Sequence, residues 1–95
     1  MDIRHITLRE TLRADGYAVR YTEKKFPRGL STFIKVIRSD GITKEGFDEI
    51  IRCVAMEFNQ AICMEGYREG MCTITFSFYE IYNVKNTKDD SKEGD

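Results

Sequence analysis

The stretch YAVRYTEKKFPRGLSTFIKVIRS, from Tyr17 to Ser39, decides how this chain folds. Tyr17, Val19 and Tyr21 alternate with Ala18, Arg20 and Thr22, the period-two pattern of a strand with one buried face. Phe26-Pro27-Arg28-Gly29 interrupts the pattern, because proline fixes one φ angle and glycine adapts to a turn. A β-rich run resumes from Ser31 to Ser39 with Phe33, Ile34, Val36 and Ile37. So short a connection between two strands implies an antiparallel hairpin.

Upstream, Thr7-Leu8-Arg9-Glu10 has the form of a capping box, in which the threonine hydroxyl and the glutamate carboxylate satisfy free backbone donors reciprocally. It predicts a short helix through Thr11, Leu12 and Arg13, stopped at Asp15-Gly16. Asp2 is a competing cap that would start the helix a turn earlier. Downstream, Asp40-Gly41 ends the hairpin, and Thr43 caps a helix expected from about Lys44 to Met64. Phe47, Ile50, Ile51, Val54, Phe58, Ala61 and Ile62 recur at three- and four-residue steps and form one apolar stripe. Glu45, Asp48 and Glu49 sit in its first turns, where the helix dipole favours negative charge.

Residues 65–70 reverse the chain, and residues 71–82 alternate again. Cys72, Ile74, Phe76 and Phe78 are expected to face the helices, with Thr73, Thr75, Ser77 and Tyr79 facing water or a partner. From Lys85 to Asp95 there is nothing apolar to bury, which predicts a disordered acidic tail after a single domain spanning 1–84. The αββαβ order gives an α+β two-layer sandwich, with both helices on one face of a three-stranded antiparallel sheet. A right-handed crossover through the long helix would set the third strand parallel to the second, so the expected strand order is 2-1-3 with all neighbours antiparallel; the alternative, 1-2-3, would need one parallel pair.

Charge is divided by position: the first 38 residues hold nine Lys/Arg against four Asp/Glu, and residues 39–95 hold six against twelve. The positive excess lies in Arg20, Lys24, Lys25, Arg28, Lys35 and Arg38, all on the predicted hairpin. These six are the candidate partner-binding residues, suited to charge-assisted hydrogen bonds with an acidic surface. Tyr21, Phe26 and Phe33 interleave with them, which also suits nucleic acid. The pI of 5.9 argues against that reading. The outward side of the sheet would mix hydroxyls and Arg20 with either Phe33 and Ile37 or Ile34 and Val36, a composition found at protein interfaces. Self-association through that face or through a sheet edge is a further option.

Chemistry finds little purchase. The only histidine, His5, lies near the N-terminus and is expected to be solvated, without a nucleophile fixed beside it. No phosphate-binding glycine loop is present, since the glycine turns lack a following Lys-Ser/Thr. Cys53, Cys63 and Cys72 are odd in number, lack any CxxC, and read as reduced, small apolar core residues. The expectation is therefore a non-enzymatic protein with no metal and no cofactor. No apolar run is long enough for a membrane span, and the residues after Met1 do not form an apolar leader, so a cytoplasmic location is expected.

Leu8-Arg-Glu-Thr-Leu12, Asp15-Gly-Tyr-Ala-Val19, the basic hairpin, and Ser39-Asp-Gly-Ile-Thr43 opening a helix together resemble a small α+β domain associated with large polyvalent proteins of phages and conjugative elements. The helix-then-strand opening is also similar to that of some small phage-encoded anti-CRISPR proteins. The resemblance implies a mobile-element protein that inhibits a host defence by binding it. It carries over no individual functional residue.

Overall fold

A computed structural model describes residues 2–82 of the chain; the tail expected at 85–95 lies outside them. The elements are α1 (Ile3–Arg13), β1 (Ala18–Phe26), β2 (Gly29–Ile37), α2 (Lys44–Glu57), β3 (Ile62–Cys63) and β4 (Thr73–Ile81). The α+β class and the two helices agree with the sequence reading. The sheet has four strands rather than three, ordered β1-β2-β4-β3, and every neighbouring pair is antiparallel.

The difference in strand order follows from where α2 stops. Phe58 leaves helical geometry at φ -134°, ψ 81° while its N–H still bonds to the Val54 carbonyl. A turn through Asn59 and Gln60 follows, closed by the Ala61 N–H on the Phe58 carbonyl at 3.0 Å. Ile62 and Cys63 then pair with Ser77 and Phe76 as β3, and the Met64 N–H donates to the Thr75 carbonyl. The connection therefore passes over the sheet twice, out along α2 and back beside β4. This return brings Thr73 opposite Ile37, so the last long strand lies antiparallel to β2 and β2 becomes central. The expected helix to Met64 overruns because Phe58, Ala61 and Ile62 continue the helical spacing after the backbone has turned.

The inner face of the sheet carries Val19, Ile34, Val36, Ile74, Phe76 and Phe78, all buried against Leu8 and Leu12 of α1 and Phe47, Ile50 and Val54 of α2. Gly16 has φ +87° and closes α1, with the Tyr17 N–H on the Leu12 carbonyl; a side chain there would strain the left-handed backbone. Gly29 meets a different requirement. The Tyr79 phenol and the Glu80 carbonyl occupy the space a Cβ would need, so the aromatic ring covers the glycine across the β2–β4 pair.

The cap of α1 is Asp2, not Thr7. Asp2 Oδ1 accepts from the Arg4 N–H at 2.9 Å, and its carboxylate also holds the Arg4 guanidinium. Those two Arg4 contacts bring the Asp2 carboxyl down to about 2. A carboxyl held lower in the folded chain than in the unfolded one contributes stability that is complete above about pH 5 and is lost as the pH falls toward 2. Asp2→Ala is therefore expected to cost about 1 kcal/mol at neutral pH, the usual worth of an N-cap. The deficit should shrink in urea unfolding at pH 2.5; an equal deficit at both pH values would contradict this account of the cap.

Three further expectations are corrected. His5 is packed rather than solvated: its ring stacks on Tyr21 at 4.1 Å and 11°, and lies 5.3 Å from Phe58. Cys72 is exposed, because the buried inner pattern of β4 begins one pair later at Ile74; Cys53 and Cys63 are only half-buried. Burial and the carboxylate of Glu49 raise the Cys53 thiol above its ordinary range, which disfavours a reactive thiolate. Ile62, expected on the apolar stripe, is 69% exposed on β3.

Candidate functional site

Both helices lie against one side of the sheet, and among the described residues no element covers the other. Its surface follows from register. Arg20, Lys35 and Thr75 form one row across β1, β2 and β4, and Thr22, Phe33, Ser77 and Ile62 form the next. Beyond these come Lys24, Ser31 and Tyr79, then Phe26, Gly29 and Ile81. The open alternative about the apolar residues is thus resolved: Phe33 and Ile37 share this face with the hydroxyls, while Ile34 and Val36 are in the core.

The structure brings together some of the six candidate cations and separates others. Arg20, Lys24 and Lys35 project from the open face, and Arg28 occupies the β1–β2 turn next to it. Lys25 alternates to the inner side, where it opposes Leu30 beyond the end of the helices. Arg38 lies past the far end of β2, a nine-residue strand, and hence roughly 30 Å from the turn at a strand's usual rise. Its guanidinium donates to the Gly41 carbonyl at 3.1 Å and sits over the Tyr17 ring at 5.7 Å. Those contacts make Arg38 a fastener of the β2–α2 connection.

Arg20 and Lys35 oppose each other directly across the β1–β2 pair. Like charges in that position repel. The ion pairs among the described residues use Arg4, Lys44 and Arg52, so they offer these two cations no relief. Glu49 pairs with Arg52 and Asp48 with Lys44, which accounts for the acidic start of α2 as a surface feature. Among the described residues, no three His, Cys, Asp or Glu side chains converge in a way that would hold a metal ion.

An aromatic end to this face was not anticipated from the sequence. Phe26 and Tyr79 meet edge to face with centroids 6.1 Å apart, and the Lys24 ammonium lies 5.4 Å from the Phe26 ring. Ile81, 73% exposed, and Tyr82 extend the patch, with the Tyr82 N–H bonded to the Arg28 carbonyl. Shallow hollows beside Pro27 and Arg28 are lined by Phe26, Ser31 and Tyr79 on one side and by Ile81 and Tyr82 on the other. The signal was available in the alternation of β4, which places Tyr79 and Ile81 on its outward side; the missing knowledge was that Phe26 and Arg28 lie beside them.

No protein-family model matches the chain, and neither a curated protein nor a solved structure matches it significantly. No helix among the described residues is long and apolar enough to cross a membrane.

Proposed function

We propose that this is a non-enzymatic binding protein whose open sheet face and hairpin tip take an acidic surface of a partner protein. The observation that carries the reading is the facing pair Arg20 and Lys35, two cations kept adjacent at a cost to the sheet that an incoming carboxylate would offset. Phe26, Tyr79 and Ile81 supply apolar anchors beside Arg28, the mixture of aromatic and arginine side chains that dominates binding energy at interfaces. A second copy of the chain suits this face less well, because a two-fold contact across it would set the cations against themselves. The resemblance of the first half to domains of mobile elements directs the search toward a host-defence protein as the target.

Nucleic acid is the second reading, favoured by Phe33 and Tyr79 lying among Arg20, Lys24 and Lys35 on one sheet face. The exposed aliphatic side chains of Ile62 and Ile81 favour protein instead, since they offer bases no stacking surface. Capture from a host lysate with and without nuclease separates the two. A protein that is retained after nuclease treatment by the native chain, and released when Arg20 and Lys35 are both changed to Glu, supports the proposal. Capture that vanishes with nuclease, together with affinity for single strands that falls steeply with salt, would replace it with the nucleic-acid reading.

A further inference from the structure

On the inner side of the sheet, the strands continue past the helices toward the hairpin tip. There they form the floor of a hollow of about 640 Å³, walled by the start of α1. Register determines what lines the floor. Glu23 of β1 opposes Thr32 of β2, which opposes Phe78 of β4, and in the next row Lys25 opposes Leu30, which opposes Glu80. The two glutamates therefore flank Thr32 and Leu30 from strands two places apart and one inward row apart, about 12 Å at ordinary strand spacing and rise. Asp2, Arg4 and His5 stand at the rim from α1, and Tyr21 completes the wall.

The polar groups in this hollow are unevenly matched. Arg4 is held by Asp2 through paired hydrogen bonds and reaches Glu80 only at 3.9 Å. The Tyr21 hydroxyl donates to the His5 carbonyl at 2.9 Å, and its ring is stacked on His5 with the Arg9 guanidinium over it at 5.4 Å. The Arg4 guanidinium in turn covers the Phe58 ring, so the arginine at the rim is engaged on both sides. The Glu23 carboxylate has no ion pair among the described residues. Thr32 lines the hollow with only 2% of its surface exposed, and its hydroxyl has no hydrogen-bond partner among the described residues. A buried hydroxyl without a partner is uncommon in a folded protein.

We propose that this hollow binds a guanidinium group. The lining presents acceptors in Glu23, Glu80 and the Thr32 hydroxyl, while the Arg4 guanidinium and the Tyr21 hydroxyl are already engaged by Asp2 and the His5 carbonyl. A ligand complementary to the two carboxylates is cationic and rich in donors. Guanidinium meets that description with five N–H groups in a plane, and the plane can lie against the Phe78 ring in the lining while its edges reach the carboxylates. An ammonium, a compact and strongly hydrated point charge, would use the carboxylates but not the ring. The site is on the opposite side of the sheet from the proposed partner-binding face, and it does not depend on that reading.

The group can arrive on a small molecule or on an arginine side chain of a protein, and the test separates these sources. The full chain, labelled with nitrogen-15, is titrated with agmatine, with blocked arginine amide and with blocked citrulline amide, whose urea has nearly the same shape but no charge. The expected result is a set of amide shifts centred on Glu23, Thr32 and Glu80 for the guanidinium probes, with citrulline amide at least tenfold weaker. Tighter binding of arginine amide than of agmatine would assign the site to a protein arginine; the reverse order would assign it to a free guanidinium compound. Glu23→Gln with Glu80→Gln, two solvent-accessible changes, should abolish the preference over citrulline while the remaining amide spectrum stays native. Thr32→Val should weaken binding severalfold with both carboxylates in place. Equal responses to arginine and citrulline, shifts mapping to the opposite sheet face, or undiminished binding by the double glutamine variant would overturn the proposal.

Discussion

Phe58→Ala is expected to lower the stability of this domain by about 3 to 5 kcal/mol, the range for removing a fully buried phenylalanine. Phe58 has no exposed surface and stacks on Phe78 at 5.2 Å, while the Arg4 guanidinium lies 4.7 Å above its ring. It therefore joins α2, the sheet and the first turn of α1 through one side chain. Its position also sets the topology, since the helix ends on it and the chain turns back toward β3. A domain of this size has on the order of 5 to 15 kcal/mol in total, so the variant should lose a large part of its folded margin. Phe58→Leu keeps most of the buried volume and should cost less than about 1.5 kcal/mol. Urea unfolding measures both. A loss below about 1 kcal/mol for the alanine variant would mean that Phe58 does not bind these three elements together.

Such a residue illustrates where local sequence patterns lose their power. Alternation in Tyr17 to Tyr21 and in Ile74 to Phe78 is set by the pleat itself, so buried and outward sides could be assigned before any partner strand was known. The stop at Gly16 and the cap at Thr43 were legible for a similar reason, since each satisfies backbone groups within a few residues. Strand order is not local. It depends on whether the chain from Phe58 to Cys72 extends the helix or returns along the sheet, and the apolar spacing of Phe58, Ala61 and Ile62 is compatible with either. The Asp2 cap was similarly underdetermined: Asp2 and Thr7 are both competent caps, and the choice rests on Arg4 reaching both the Asp2 carboxylate and the Phe58 ring. Arg38 was indistinguishable from Arg20 by charge and differs only in having a carbonyl and a ring to hold it.

That distinction among the six cations leads to the second large effect. Changing Arg20, Lys24 and Lys35 together to Glu is expected to weaken partner binding by roughly a hundredfold or more, because each carboxylate on the partner would then meet a like charge. Lys35→Glu alone should already weaken binding by about tenfold. The same single change should raise Tm by a few degrees, since it replaces the Arg20–Lys35 repulsion across β1 and β2 with an attraction. The gain should diminish in high salt, as expected for an exposed pair. Arg38→Glu should behave in the opposite way, lowering Tm through loss of the Gly41 carbonyl contact while leaving affinity close to native. Lys25→Glu, on the inner side of β1, should leave binding at the open face unchanged. Opposed movement of stability and affinity in Lys35→Glu is the informative outcome, because a variant that merely damaged the fold would lose both. If Lys35→Glu becomes more stable and still binds its partner as tightly as the native chain, the Arg20–Lys35 pair is not the contact surface.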